Sequence, residues 1–388
     1  VAFYNSAKTG KGVNEYGSTD VISFNTEENF MQTEGFVGKA LNKWRYNEIV
    51  SWNRNFLREN SSLFDKRIKE GYIREGHGDL YSANIAFDNL RKVYIFDCIE
   101  FNERFRCGDV ASDIAFLSMD LDFHDYRELS EFFVKSYTER SDDRDLIKLL
   151  NFYKCYRAYV RGKIECFTSQ SQTLSEEKRK EALEKTKKYF DLSYTYTKGK
   201  PKVFVVFGIS GTGKSTFAKK LSEMTLAEVI SSDIVRKGLA GIAPTEHHYE
   251  PFEKGIYNKE FTEKTYRKMI ALARNSLKKG RDVILDATFR ERPYREEVLQ
   301  KLNFAEIYFI LCSAKESIIK ERFKRRAEKS EVSDARWEIF LEQKKYFDTP
   351  DEIPKDRLIT VDTSEDRDDI YSILDKIYKD TPLLKEIS

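Results

Sequence analysis

The run Gly208-Ile209-Ser210-Gly211-Thr212-Gly213-Lys214-Ser215 constrains this chain more than any other stretch. It meets G-x-x-x-x-G-K-[ST] at every fixed position, between the apolar run VFVVF (203–207) and a helix-forming segment near 214–223. Glycine turns are common, yet a chance match in a chain of this length has a probability on the order of one in a hundred before that context is counted. Glycines let the backbone curl so that successive N–H groups converge on phosphate oxygens. The following helix adds the positive end of its dipole. Gly208, Ser210, Gly211, Thr212, Gly213, Lys214, Ser215 and Thr216 are therefore the expected ATP-binding set. Lys214 reaches the β and γ phosphates, and the Ser215 hydroxyl ligates Mg²⁺.

The rest of the second half alternates strand and helix. Strands are expected at 203–207, 228–232, 282–288, 305–312 and 357–363, with helices near 214–223, through about 279, and at 293–302, 315–327 and 366–379. This pattern predicts a parallel sheet flanked by helices. Ligands then bind at the carboxyl ends of the strands. Asp233 and Arg236 follow the second strand there; the carboxylate can accept the proton of an attacking hydroxyl and the arginine can hold an anionic group. Asp233 also suits a helix N-cap. Asp286 ends the third strand, VILD, where a carboxylate orients the water shell of Mg²⁺ or is simply buried structure. The cationic run 315–337 predicts a lid, with Arg322 and Arg326 sharing a helical face. An arginine over the transferring phosphate is worth about 10³–10⁵ in rate.

Composition bounds the remainder. The chain has 388 residues, which suits two domains. Lys198-Gly199-Lys200-Pro201 breaks the helical run before it, and the boundary is placed as 1–195 and 196–388. A net charge of +2, from 67 basic and 65 acidic residues, disfavours a dedicated nucleic-acid binder. The five cysteines contain no CxxC pair, so neither disulfide framework nor zinc site is expected, and a reducing cytoplasm fits. Charges interrupt every apolar stretch before about 18 residues, so no membrane span is expected. Nothing in the sequence sets an oligomeric state.

The first half reads mostly helical, with stripes across 25–70, 109–121, 128–137, 145–168 and 175–190, and a strand at 93–97. Between the helices lies His77-Gly78-Asp79-Leu80-Tyr81-Ser82-Ala83-Asn84. Its H-x-D-x-x-x-x-N spacing is that of a protein-kinase-like catalytic loop. In it Asp79 accepts the substrate hydroxyl proton, Asn84 ligates Mg²⁺, and Asp97 is the second metal ligand.

Both halves resemble known families. GISGTGKST, Asp233-x-x-Arg236, VILDAT and an arginine-bearing lid resemble the polynucleotide kinase and zeta-toxin branch of P-loop kinases. That resemblance implies γ-phosphate transfer from ATP to a hydroxyl, with Asp233 as general base and Arg236 as substrate-phosphate or transition-state ligand. HGDLYSANIAF and IFDCIEFN resemble aminoglycoside phosphotransferases and related small-molecule kinases. FRCGDVASDIAFLSMDLD and YRAYVRGK extend the likeness to a two-module group described as bifunctional aminoglycoside phosphotransferase/ATP-binding proteins. The implied fold is α/β: a mostly helical kinase-like C-lobe, then a P-loop kinase domain. Only 76 residues precede His77, and Gly10, Gly12 and Gly17 follow no strand. With Val as its first residue, the chain is therefore expected to begin after an N-terminal lobe. The implied partners are ATP and a hydroxyl-bearing small molecule. A polynucleotide 5′-hydroxyl kinase and a non-catalytic ATP-binding regulator are the alternatives.

Overall fold

Apolar residues at helical spacing in the first half fold into the helices Thr19–Thr33, Lys43–Glu59, Ser61–Lys69, Val110–Phe123, Arg127–Ser141, Leu146–Gln170 and Glu176–Tyr196. The structure is a computed structural model describing residues 1–243, 254–327, 337–364 and 370–378. Polar side chains start several helices: Ser18 accepts from Val21 N, Asn42 from Trp44 N and Arg45 N, and Ser175 from Lys178 N. The chain divides into two compact units, Val1–Lys198 and Gly199–Ser388.

The first unit closes around Phe64, Ile114, Ala115, Leu149 and Phe152. Phe56 stacks on Phe152 at 4.9 Å, and Phe64 meets the same ring edge-on at 5.7 Å. Arg67 is buried in this unit, paired through two edges of its guanidinium with Asp109 and Asp143. Four short strands complete it: β1 (Ile73–Glu75), β2 (Ile85–Phe87), β3 (Val93–Ile95) and β4 (Cys107–Asp109). β1 pairs antiparallel with β4, and β2 with β3. The strand expected at 93–97 is shorter: the chain leaves the ladder after Ile95, and Asp97 adopts a φ of 62°. The β1–β4 pair carries no sequence signal, since three residues are too few to show a period.

In the second unit, continuous apolar runs become buried parallel strands. These are β5 (Lys202–Phe207), β6 (Glu228–Ser231), β7 (Val283–Asp286), β8 (Glu306–Ser313) and β9 (Leu358–Asp362). Their order is β6-β7-β5-β8-β9, with every pair parallel. Val203 to Phe207 are wholly buried in the central strand. Each such side chain stabilises by about 1.5–3 kcal/mol. Helices follow the strands: Lys214–Thr225, Ser232–Ala240, Lys259–Lys278, Arg292–Lys301, Glu316–Ala327, Trp337–Lys345 and Ile370–Ile377. The result is the mixed α/β fold with a parallel sheet flanked by helices. The register aligns Asp286 with Val206 on one side and Ser231 on the other. The carboxyl ends of the three strands that carry candidate residues therefore lie side by side.

Candidate phosphate-binding and catalytic sites

The phosphate loop leaves the carboxyl end of β5, as its motif requires. Gly208 has φ 134°, and a Cβ there would stand 2.5 Å from the Cys312 carbonyl at the end of β8. Gly211 and Gly213 also have positive φ, 85° and 79°. Gly213 forms the N-cap of Lys214–Thr225, so the loop runs straight into a helix N-terminus. Thr212 Oγ1 and Lys214 Nζ both donate to the Ile209 carbonyl, at 2.8 and 3.0 Å. Ser210 N donates to Gln343 Oε1 at 2.8 Å, a partner that sequence reasoning missed. Ser215 and Thr216 are at the start of the helix and both are exposed, while Lys214 is half-buried. Cys312 lies within electrostatic reach of Lys214, Asp286 and Arg322, and burial pushes its thiol up to about 12.

Asp233 does not cap its helix. The N-cap is Ser231, and Asp233 sits in the first turn, 3.7 Å from Arg236. Arg236 is buried, with its guanidinium over the Tyr257 ring at 4.6 Å and NH2 donating to Thr262 Oγ1 at 3.4 Å. Its Nε has no hydrogen-bond partner among the described residues. A buried guanidinium with an unused donor is suited to an anion. Asp286 is buried at the end of β7.

Arg322, the first of the two candidate lid arginines, lies against the phosphate loop. NH1 donates to Gly211 O at 3.3 Å and Thr363 Oγ1 at 3.1 Å, while NH2 donates to Thr363 O. Thr363 Oγ1 in turn donates to Thr212 O at 2.8 Å. Arg322 thus braces the phosphate loop against the end of β9. The side chain of Arg326, and residues 328–336 of the expected lid, lie outside the described residues.

In the first unit, the loop at 77–84 is held from a distance. Asp113 accepts from His77 N at 2.7 Å, Gly78 N at 3.0 Å and Tyr4 Oη at 3.0 Å. Arg157 NH1 donates to the Gly78 carbonyl at 2.8 Å. Asn84 Nδ2 donates to Asp79 O and Oδ2, at 3.0 and 3.3 Å. Phe96 O lies 2.9 Å from His77 Nε2, and Ile99 N donates to His77 O at 3.0 Å. These bonds bring the Asp97 turn to the loop, where Asp97 is exposed. Burial raises the Asp79 carboxyl, and the nearby Arg157 and Arg161 oppose the rise. A raised carboxyl is better matched to proton acceptance near neutral pH. Asp113 and Arg157 escaped sequence reasoning because their bonds span 36 and 79 residues.

Among the described residues, no group of three or more His, Cys, Asp and Glu side chains is placed to hold a metal. All five cysteines are free thiols, and among the described residues no helix is long and apolar enough to cross a membrane.

Fold and loop together make the second unit a P-loop nucleotide-binding domain. Residues 203–350 match the family model described as an AAA domain. Uncharacterised curated proteins of Mycobacterium tuberculosis and Mycobacterium bovis are each 29% identical over 328 residues, covering 84% of this chain. The chain matches 64% of the length of those relatives. Among solved structures, a gluconokinase from Sinorhizobium meliloti is 18% identical, covers 47% of this chain and 91% of its own, and gives a TM-score of 0.31. The Mycobacterium tuberculosis APS kinase, solved with AMPPNP and APS, is 18% identical, covers 46% and 97%, and gives 0.32.

Proposed function

We propose that this chain is an ATP-dependent phosphotransferase whose P-loop unit moves the γ-phosphoryl group of ATP to a hydroxyl of a small molecule. The carrying observation is the loop of positive-φ glycines that enters a helix at Lys214, at the same carboxyl edge of the sheet as the strand β6 that leads to Asp233 and Arg236. On this reading Asp233 takes the hydroxyl proton as the acceptor oxygen bonds to phosphorus and the bond to ADP breaks. Arg236, with its unused Nε, holds an anionic group of the acceptor or the transferring phosphoryl. Ser215 and Asp286 would hold Mg²⁺, which when bound neutralises charge on the phosphate oxygens. The first unit is proposed to be a C-lobe of aminoglycoside-phosphotransferase type that binds or phosphorylates a metabolite at Asp79, with Asn84 and Asp97 toward Mg²⁺.

The test is ATP turnover by the full chain with Mg²⁺ and a panel of hydroxyl metabolites, compared with Lys214→Ala. A fall of at least about a hundredfold is expected, because Lys214 is the positioned cation for the phosphates. Undiminished turnover overturns the proposal. The near-neutral charge favours a small acceptor over a polynucleotide. Substrate binding should therefore show little salt dependence; a steep negative slope would favour the nucleic-acid alternative.

A further inference from the structure

The first unit holds a cavity of about 250 Å³ with Asp79 in its wall. It is smaller than the roughly 300–1,000 Å³ of pockets for drug-sized ligands, so it suits a metabolite. Its floor comes from two helices, Thr19–Thr33 and Leu146–Gln170, which contribute residues at helical spacing such as Asn25, Asn29, Arg157 and Lys163. The sign of its charge follows from the pairing of each ionised wall residue.

Several charges cancel. Arg104 pairs with Glu28 at 2.7 Å and Arg106 with Glu75 at 3.1 Å. Arg157 lies 3.8 Å from Asp113, and Asp109 is taken by Arg67. Two wall cations hydrogen-bond only to neutral groups, although the Glu28 carboxylate that pairs with Arg104 is also within electrostatic reach of Lys163. Lys163 Nζ donates to Asn29 Oδ1 at 2.6 Å and Gln32 Oε1 at 2.9 Å. Arg74 donates to the carbonyls of Gly71 and Tyr4. Among the described residues no carboxylate lies within ion-pair distance of either cation. Against them stands one wall carboxylate without a close ion partner, Asp79, which the proposed chemistry uses as its base.

We infer that this cavity receives a small hydroxyl-bearing anion, carrying a carboxylate or a phosphate, with its charged group toward Lys163 and its hydroxyls toward Asp79. The cavity rejects polycations, because a ligand ammonium there would face Lys163 and Arg74 with only Asp79 to answer it. The inference rests on reading the first unit as a small-molecule site, and it separates that site from the amine-rich compounds for which the resembling family is named.

The test uses one ring in three charge states: D-glucuronate, D-glucose and D-glucosamine, with kanamycin as the polycation. Each is titrated into the full chain by calorimetry, repeated with Lys163→Gln and Lys163→Arg. Glucuronate should bind more tightly than the other three. Lys163→Gln should weaken it roughly ten- to hundredfold, as expected for a charge-assisted hydrogen bond, while Lys163→Arg keeps the preference and reports an intact fold. Equal or tighter binding of glucosamine or kanamycin overturns the inference. So does no measurable glucuronate binding, or glucuronate binding indifferent to Lys163→Gln. Binding requires no phosphoryl transfer. A chain that prefers glucuronate but transfers nothing sinks the proposed reaction alone, and one that transfers phosphate but prefers the amine sinks this inference alone.

Discussion

Gly208→Ala tests whether the phosphate loop is held as tightly as its contacts indicate. The added Cβ would stand 2.5 Å from the Cys312 carbonyl oxygen and 3.3 Å from Thr212 Oγ1. Carbon–oxygen contacts begin near 3.3 Å, so the loop must retreat by roughly 0.8 Å. The φ of 134° lies where only glycine is comfortable, and holding another residue there costs of order 1–3 kcal/mol. At about 2–4 °C per kcal/mol for a unit of this size, melting should fall by roughly 2–12 °C. Misplacing positioning groups by about 1 Å typically costs about a hundredfold in rate, and turnover should fall by that order. Gly238→Ala is the control: it lies in Ser232–Ala240, and among the described residues no atom outside its own stretch of helix stands within 4 Å of the place its Cβ would take. It should be neutral or stabilise by about 0.5–1 kcal/mol. Circular-dichroism melts and coupled ADP release read both effects. Wild-type ADP release by Gly208→Ala, or equal damage by Gly238→Ala, refutes the reasoning.

Asp79→Asn should raise the melting temperature at neutral pH. A folded carboxyl lifted above its unfolded value favours the protonated fold, so ionisation at higher pH removes stability that an amide keeps. The advantage should shrink as pH falls below the ordinary carboxylate range; a pH-independent difference in melting contradicts this cause. Arg67→Met leaves Asp109 and Asp143 buried without their cation. It should destabilise the first unit by about 3–5 kcal/mol, read by denaturant titration; a loss under about 1 kcal/mol would mean that water replaces the guanidinium. Arg236→Ala should lower kcat/KM roughly ten- to hundredfold by removing a charge-assisted contact; wild-type kinetics would show that its buried Nε faces no substrate.

The second unit was legible because its signals are local. Val203 to Phe207 are buried on both faces, so they read as an unbroken apolar run that ends at a glycine turn. The places of Asp286 at the end of β7 and of Asp233 just after β6 were legible because each follows an apolar run. Arg322 was seen as a charge on a helix but not as a brace, because its partners, Gly211 and Thr363, lie 111 and 41 residues away. The cationic cavity wall was invisible for a related reason. Lys163 meets Asn29 across 134 residues, and no spacing rule joins them.

The two loops also differ in what fixes them. At 208–213 the chain itself carries the instruction, since positive φ at three glycines defines the curl. At 77–79 only Gly78 has positive φ, 79°, and much of the instruction sits elsewhere: one carboxylate, Asp113, gathers two backbone amides and a tyrosine hydroxyl. Close packing requires the glycines on either side of His77, because a Cβ on Gly76 would stand 2.6 Å from Asp113 Oδ2 and one on Gly78 2.7 Å from Phe105 O. A loop fixed by its own glycines can be read from a motif. A loop fixed by a distant carboxylate can be read only as a spacing, and the residue that orients it emerges with the fold.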